Sequence, residues 1–268
     1  MTQEREQSPV ADRPESGGAE RQAETAFMTH WRNGVGLVRE FLAMPHVTVE
    51  LMYGEAARNE AFFQRLTREF YAETQRRHSK FPLIRNWAYG VAVCVLPPTF
   101  DDYFLGIESA ARRNFKKAQR MGYRFERIRH NDHLADMHEI HASAEVRQGQ
   151  MPGALLHGEV KPCDDPPSRT RVHDYPYFGV LKDGRLTAYS GVFVCGEAFM
   201  IEQLYGHAAH HPNGVVPMLL IGMVDHLKRE YPNVKYYINE MYFGAGPTMR
   251  RFKRKFRFEP HRVHWVLG

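Results

Sequence analysis

The chain has 268 residues, of which 43% are hydrophobic and 25% are charged, and its net charge is +5 at pH 7. These values are ordinary for a globular protein with a substantial core, and they are compatible with a polyanionic partner without requiring one. Apolar runs stay below the ~18 residues of a membrane span, and the N-terminus lacks the residue order of a secretory signal. Three cysteines, far apart and outside any CxxC pair, suggest neither a zinc site nor a disulfide framework, so we expect reduced thiols in a cytoplasmic protein.

The first part of the chain predicts a tail followed by a small α/β extension. Residues 1–26 hold almost no large apolar side chain, which predicts a disordered tail. Apolar spacing then predicts a helix over Phe27–Met44, a strand over His46–Tyr53 and an amphipathic helix over Ala56–Arg77. A β-branched run predicts a further strand over Trp87–Leu96. We therefore assign residues 27–98 to an N-terminal α/β extension.

The next predicted elements are two helices around one strand. Acidic residues at the start and basic residues at the end favour one helix over Asp101–Met121, and Gly122 stands where a left-handed C-cap is expected. A strand is predicted over Tyr123–Arg129. Asn131 is then placed to cap a helix that runs from Asp132 to about Val146.

A long polar loop and three strands follow. The loop over Gly149–His173 holds four prolines, and a structureless loop of that length is usually functional or mobile. Strands are predicted over Tyr177–Leu181 and Leu186–Val194, joined by the hairpin dipeptide Asp183–Gly184. The third predicted strand is Phe199–Tyr205.

The last part of the chain alternates helix and strand. Apolar residues at spacings of three and four predict a helix from Val215 to about Glu230, which Pro232 ends. A strand over Val234–Met241 and a short basic helix over Met249–Phe256 complete the order. This order is the one that a parallel sheet with a crossover helix requires.

Three stretches carry a resemblance to a known family. The order of elements from Tyr177 onward resembles the GNAT acyltransferase fold, and Phe252–Pro260 is similar to the junction between its last helix and last strand. The stretch Arg112–Ala118, followed by Gly122, resembles the FemAB-like branch. The resemblance implies an α+β fold over residues 99–268, with a mixed, centrally splayed sheet flanked by helices.

The resemblance also implies where an acyl donor binds. Anionic groups of acyl-CoA would lie over the start of the helix after the third strand, at Asn213, Gly214, Val215 and Val216. The family's usual loop has two spaced glycines, whereas this loop has one glycine and Pro217 in the first helical turn. This departure shifts weight toward the FemAB-like branch, which includes transferases that use aminoacyl-tRNA, without excluding acyl-CoA. A plain junction between loop and helix is the alternative.

Three residues are candidates for the chemistry. Glu202, on the strand beside the implied cleft, is placed to deprotonate an amine if burial raises its pKa. Asn239 and Tyr242 close the next strand, where open sheets hold ligand groups, and the resemblance implies that a tyrosine there protonates the leaving thiolate. Pairing of Glu202 with an arginine and a core role for Tyr242 are the alternatives.

Basic residues on two helices could bind the phosphates of coenzyme A or of tRNA. Arg113 and Lys117 belong to a cationic stripe with Lys116 and Arg120, and Lys253 lies in the last basic helix. A solvated helix face is the alternative. Three loop histidines, His207, His210 and His211, lack the companions of a zinc site, so no metal is expected.

The sequence thus predicts an N-acyltransferase that moves an acyl group, from acyl-CoA, to the amine of a small molecule or peptide. The second hypothesis is a FemAB-type transferase that takes its donor from aminoacyl-tRNA. The third is a GNAT-fold binding module without catalysis. The sequence predicts no oligomeric state.

Overall fold

The computed structural model describes residues 43–79, 83–144, 153, 158–164 and 166–268. The predicted disordered tail and nearly all of the helix predicted to start at Phe27 lie outside these residues, as does part of the predicted loop over Gly149–His173. In chain order the described elements are β1 (His46–Glu50), α1 (Tyr53–Ala56), α2 (Ala61–Gln75), β2 (Tyr89–Val95), α3 (Phe100–Gly106), α4 (Ser109–Arg120), β3 (Arg124–Ile128), α5 (Leu134–Ala142), β4 (His173–Asp174), β5 (Tyr177–Lys182), β6 (Arg185–Cys195), β7 (Ala198–Gly206), α6 (Val215–Glu230), β8 (Tyr236–Met241), α7 (Pro247–Lys255) and β9 (Glu259–Val266).

These strands form one mixed sheet in the order β1-β9-β2-β8-β7-β6-β5-β3, with β4 paired to β6. The pairs β1–β9 and β7–β8 are parallel, and the other described pairs are antiparallel. Helices flank this sheet, so the predicted α+β fold is confirmed. Strands β1 and β2, from the predicted N-terminal extension, lie in the same sheet, and the division into domains stays a prediction.

Helix α6 covers one face of the sheet, which we call the α6 face. Its side chains Leu219, Met223 and Val224 are fully buried, together with Phe199 of β7. The helix has the predicted bounds because its apolar residues recur with helical spacing. The opposite face is covered in part by α2, whose Phe70 packs against Phe193 and Trp265.

Two predicted helices have different bounds in the structure. The helix predicted over Asp101–Met121 is divided into α3 and α4, because Ile107 is extended and buried in the core. The N–H of Glu108 there donates to the carbonyl of Lys255 at 3.0 Å. The helix predicted from Ala56 starts at Ala61, after the separate turn α1, so the strand predicted to reach Tyr53 ends at Glu50.

Asn131 does not cap a helix. Its amide accepts from the N–H of Cys163 at 2.9 Å and donates to the carbonyl of Cys163 at 3.0 Å. A 3₁₀ turn over His130–His133 precedes α5, which ends at Ala142. The local capping signal was therefore overridden by a contact 32 residues away.

The predicted hairpin and C-cap are confirmed. Asp183 and Gly184 have φ values of 52° and 79°, as a tight hairpin turn requires, and they join β5 to β6. Gly122 has φ +83° and ends α4 in the left-handed conformation.

Candidate functional site

Strands β7 and β8 pair for a short distance and then diverge. Their parallel register joins Ala198 to Tyr236, Phe199 to Tyr237 and Met200 to Ile238. Beyond these pairs β7 continues to Gly206 and β8 continues to Met241. A wedge therefore opens between the carboxyl ends of two parallel strands, the place where open sheets hold ligands. The predicted central splay is confirmed.

A β-bulge lies on β7 where the divergence begins. Ile201 pairs with Val192 and Gln203 pairs with Gly191, which leaves Glu202 as the extra residue on β7. An extra residue bends the strand and re-aims its side chain, and such bulges are common beside active sites.

The side chain of Glu202 lies on the face opposite α6. The hydroxyl of Tyr175 donates to its Oε2 at 3.3 Å, whereas Ile201 packs into the core on the α6 face. Glu202 is exposed, so the expected burial of this carboxylate is wrong. Burial and then the charge of Glu202 raise the pKa of Tyr175, which keeps its hydroxyl protonated as a donor. The assignment of Glu202 as a base stays a prediction.

The carboxyl end of β8 holds the other two predicted catalytic residues. Asn239 is buried on the diverging part of the strand, and Tyr242 is buried directly after it. The N–H of Tyr242 donates to the carbonyl of Gly90 at 2.6 Å, and its ring packs into the core of the α6 face. Both residues thus border the wedge, and their chemical roles stay predictions.

Lys253 does not lie on an exposed basic surface. Its side chain is 2% exposed, and its ammonium donates to the carbonyls of Asn239 at 2.6 Å and Met241 at 2.7 Å. Burial lowers its pKa to about 8, with Glu240 acting in the opposite direction. The buried ammonium of Lys253 is therefore not placed to contact a phosphate at the surface. It binds two carbonyls of β8, beyond the last residue of β8 that pairs with β7.

The start of α6 lies next to α4. Gly214 has φ +85°, and a Cβ there would lie 2.4 Å from the carbonyl oxygen of Asn114, so the close approach of α4 requires glycine. Lys117 Nζ donates to the carbonyl of Pro212 at 2.9 Å. Arg113 lies one turn earlier on the same helix and is exposed. The structure thus brings Lys117 into contact with the predicted loop, and Arg113 donates to Ser109 on its own helix.

These groups fit an anionic ligand. The N–H groups of Val215 and Val216, in the first turn of α6, have no intrahelical acceptor and lie at the positive end of the helix dipole. Pro217 supplies no N–H, which removes one donor from the set. Two N–H groups therefore remain at the start of α6, and their binding of a phosphate, as in coenzyme A, stays a prediction.

Sequence reasoning missed a contact between two residues beside this loop. The hydroxyl of Tyr123 lies 2.6 Å from His210 Nδ1, and Asn213 Nδ2 donates to the same hydroxyl at 3.0 Å. Burial, and then His207, lower the pKa of His210, so its neutral ring accepts from Tyr123. The two residues are 87 positions apart, and no local pattern signals their contact.

The described ranges hold neither a metal-binding cluster nor a membrane-spanning helix. No group of three or more His, Cys, Asp or Glu side chains among them is arranged to hold a metal ion. In the same residues, every helix is too short or too polar to cross a bilayer.

No family model and no curated protein matches the sequence. The chain is similar to the C-terminal domain of a putative lysylphosphatidylglycerol synthetase from Agrobacterium fabrum, with 17% identity, a TM-score of 0.42, and coverage of 64% of this chain and 57% of that chain. A conserved protein of unknown function from Bacteroides thetaiotaomicron gives 13% identity, a TM-score of 0.45, and coverage of 65% and 58%. A tandem GNAT protein from the clavulanic acid biosynthesis pathway gives 17% identity, a TM-score of 0.30, and coverage of 34% and 29%.

The chain thus spans less than two thirds of the length of each of these proteins. Because each of the three TM-scores lies below 0.5, these likenesses carry no weight for its function. The mixed sheet and its central divergence stand on the geometry of the chain itself.

Proposed function

We propose that this protein is an N-acyltransferase that moves an acyl group from acyl-CoA to an amine. The observation that supports this proposal is the wedge between β7 and β8, which has a bulged carboxylate at its mouth. An acyl thioester in the wedge would have the anionic part of its donor at the start of α6. The acceptor amine would approach from the face that carries Glu202.

Each residue then has a defined task. Glu202 accepts one proton from the ammonium of the acceptor and passes it to solvent. The freed amine attacks the thioester carbon, a C–N bond forms and the C–S bond breaks. Tyr242 gives its hydroxyl proton to the leaving sulfur and takes the second proton from the nitrogen. Lys253 holds the end of β8 that leads to Tyr242.

The experiment replaces Glu202 with glutamine, which keeps the shape and removes the base. Turnover of an acyl-CoA with a panel of primary amines should fall by roughly a hundredfold to ten-thousandfold. Donor affinity, measured by calorimetry, should change little because the carboxylate acts on the acceptor. Glu126→Gln, at an exposed glutamate of β3, is the matched control and should keep full turnover.

Two results would count against this function. Near-normal turnover of Glu202→Gln would exclude Glu202 as the base. Donor binding without turnover by the wild-type protein, with every amine in the panel, would favour the third hypothesis, a binding module without catalysis.

A second candidate function is transfer from aminoacyl-tRNA, as in FemAB-type enzymes, and the charge of two helices favours it. Helix α4 holds five cations, α7 holds four besides the buried Lys253, and neither helix has an acidic residue. They meet at Glu108, whose carboxylate accepts from Arg251 at 2.6 Å and whose N–H donates to the backbone carbonyl of Lys255. A joined cationic surface of this kind suits a phosphate backbone.

Salt and charge reversal separate the two donors. If tRNA binds α4, its affinity should fall steeply with salt as counterions are released, and Arg113→Glu with Lys117→Glu should abolish binding. Arg65→Glu, on helix α2, with Arg76→Glu, directly after that helix, is the control pair. Affinity for tRNA that responds to neither salt nor the α4 variant would remove this candidate.

A further inference from the structure

Helix α4 carries positive charge that its surroundings do not neutralise. Its five cations are Arg112, Arg113, Lys116, Lys117 and Arg120. Three of them donate to neutral oxygens of the chain, and none pairs with a carboxylate in the part of the chain that the structure describes. Like charges three and four residues apart repel each other along a helix, so this arrangement lowers the stability of α4. An anionic partner would relieve that repulsion.

Exposed apolar side chains stand at both ends of this helix. Among the described residues, large hydrophobic side chains are exposed at four positions: Leu83, Val95, Leu105 and Met121. Leu105 is 69% exposed and lies shortly before α4, whereas Met121 is 39% exposed and directly follows the last residue of α4. Two of the four exposed apolar side chains thus flank one basic helix.

Contacts join the first of these side chains to the cations. The guanidinium of Arg112 donates to the carbonyl of Leu105 at 2.8 Å. The Nζ of Lys116 lies 5.9 Å from the centre of the Phe104 ring, directly before Leu105 in the chain. Helical spacing places Arg113, Lys116 and Arg120 along one exposed side of α4. We call the following set the basic-apolar surface: Leu105, Arg112, Arg113, Lys116, Arg120 and Met121.

The nearby carboxylates are engaged by other groups or lie at the margin. Glu108 accepts from Arg251 of α7 at 2.6 Å. Asp102 accepts from the hydroxyl of Thr99 at 2.7 Å, in the first turn of α3. Asp101 lies in the same turn, so the start of α3 forms the acidic limit of the basic-apolar surface.

The combination of cations with exposed aliphatic side chains favours a lipid partner over a nucleic acid. A phosphate backbone neutralises cations but gives an exposed leucine or methionine no apolar surface to contact. An anionic bilayer supplies both groups, because its phosphates lie at the surface and its acyl chains begin within about 5–10 Å of them. Leu105 and Met121 therefore decide between the two partners.

We propose that the basic-apolar surface docks this protein on an anionic lipid bilayer. The cations of α4 bind the lipid phosphates, while Leu105 and Met121 enter the boundary between headgroups and acyl chains. Cations and a small apolar contact each contribute a modest affinity, and stable docking requires both. This proposal concerns a surface outside the wedge and does not depend on acyl transfer.

The test measures binding of the full chain to vesicles, with no acyl donor or amine present. Sucrose-loaded vesicles of one third phosphatidylserine and two thirds phosphatidylcholine are compared with vesicles of phosphatidylcholine alone by co-sedimentation. Binding should require phosphatidylserine and should weaken as the salt concentration rises, because salt screens the attraction between the cations and the surface. Equal binding to the two kinds of vesicle, or binding to neither, overturns the proposal.

Two double variants separate the apolar part of the surface from its charge. Leu105→Ser with Met121→Ser should weaken vesicle binding by about tenfold, since the apolar contact is lost. Lys116→Glu with Arg120→Glu should weaken it by more than about twentyfold, because each cation near an anionic surface contributes roughly fivefold. All four positions are exposed, and circular dichroism should show an unchanged thermal midpoint.

The matched controls alter the same residue types elsewhere. Leu83→Ser with Val95→Ser removes the other two exposed apolar side chains, and Arg65→Glu with Arg76→Glu reverses two exposed charges at α2. Both control proteins should bind vesicles as the wild type does. Loss of binding in a control together with full binding by the α4 variants would place the contact elsewhere and overturn the proposal.

Two further outcomes are decisive. Full vesicle binding by Leu105→Ser with Met121→Ser would show that these side chains do not enter the bilayer, and the proposal would be wrong. Binding of tRNA that only the charge variant abolishes, by a protein that binds no vesicles, would assign the surface to nucleic acid. A failure of acyl transfer leaves the vesicle result unaffected, so each proposal is tested separately.

Discussion

The two halves of the β7–β8 strand pair are built from the same strands and differ in what surrounds them. In the first half, Ala198–Met200 pairs with Tyr236–Ile238, and five of these six residues are buried. In the second half the strands diverge, and β7 carries a bulged glutamate that is exposed. The backbone of the second half of β8 is bound by a lysine of α7 instead of β7.

The difference shows how a sheet can be both core and cleft. A parallel ladder satisfies the polar groups of its backbone through the neighbouring strand, so two strands can diverge only where other groups satisfy them. Lys253 supplies such a group at two carbonyls of β8. Stability should therefore reside in the paired half and ligand chemistry in the diverging half.

The largest expected effect is on stability in the paired half. Phe199→Ala removes a fully buried ring from the core of the α6 face and should lower the free energy of unfolding by about 3–5 kcal/mol. Leu204→Ala, in the diverging half of the same strand and only partly buried, should cost less than about 2 kcal/mol. Urea denaturation measures the free energy of unfolding of both variants. Equal losses would show that the paired and diverging halves of β7 contribute equally to stability.

The second effect is a dependence of stability on pH that comes from Lys253. Its pKa of about 8 in the folded state lies below the 10.5 of an ordinary lysine. Between these values the unfolded state binds more protons, so stability rises with pH, by roughly 3 kcal/mol at most. The burial of the charged ammonium destabilises the folded state fully below pH 8, and this destabilisation disappears as the pH rises from about 8 to 10.5.

Lys253→Met isolates this effect from other groups. Burial raises the pKa of the Cys94 and Cys195 thiols to about 12, and these thiols lower stability above pH 9 in both proteins. The measured quantity is therefore the difference in unfolding free energy between wild type and variant, from pH 7 to pH 10. This difference should shift in favour of wild type as pH rises, and a constant difference would show that Lys253 is not a buried cation.

The smallest effect is expected at the surface of α4. Arg113→Glu with Lys117→Glu replaces two cations on a helix whose core contacts come from Ala111 and Ala118. The free energy of unfolding, measured by thermal denaturation, should change by only about 0.5 kcal/mol or less. A much larger loss of unfolding free energy would mean that the hydrogen bond from Lys117 to Pro212 stabilises the start of α6. Weaker donor binding in this variant could then not be assigned to the loss of two cations alone.

Local sequence patterns determined most of the elements of this fold. The bounds of α6, the hairpin at Asp183–Gly184 and the left-handed cap at Gly122 were predicted because each depends on neighbouring residues. The division between α3 and α4 was not predicted, since it depends on the burial of Ile107 in a core that is built from distant parts of the chain. The role of Asn131 was missed for the same reason.

The candidate site divides in the same way. The sequence alone placed Gly214 before a helix and Glu202 on a strand beside the cleft, because chain order and apolar spacing set those positions. Only the tertiary structure decided that Glu202 is exposed on a bulge, that Lys253 is buried on two carbonyls, and that Tyr175 contacts Glu202. A strand pattern with period two cannot show a bulge, which is a mismatch between two strands. Burial of a lysine likewise depends on elements that lie far apart in the sequence and meet only in the folded chain.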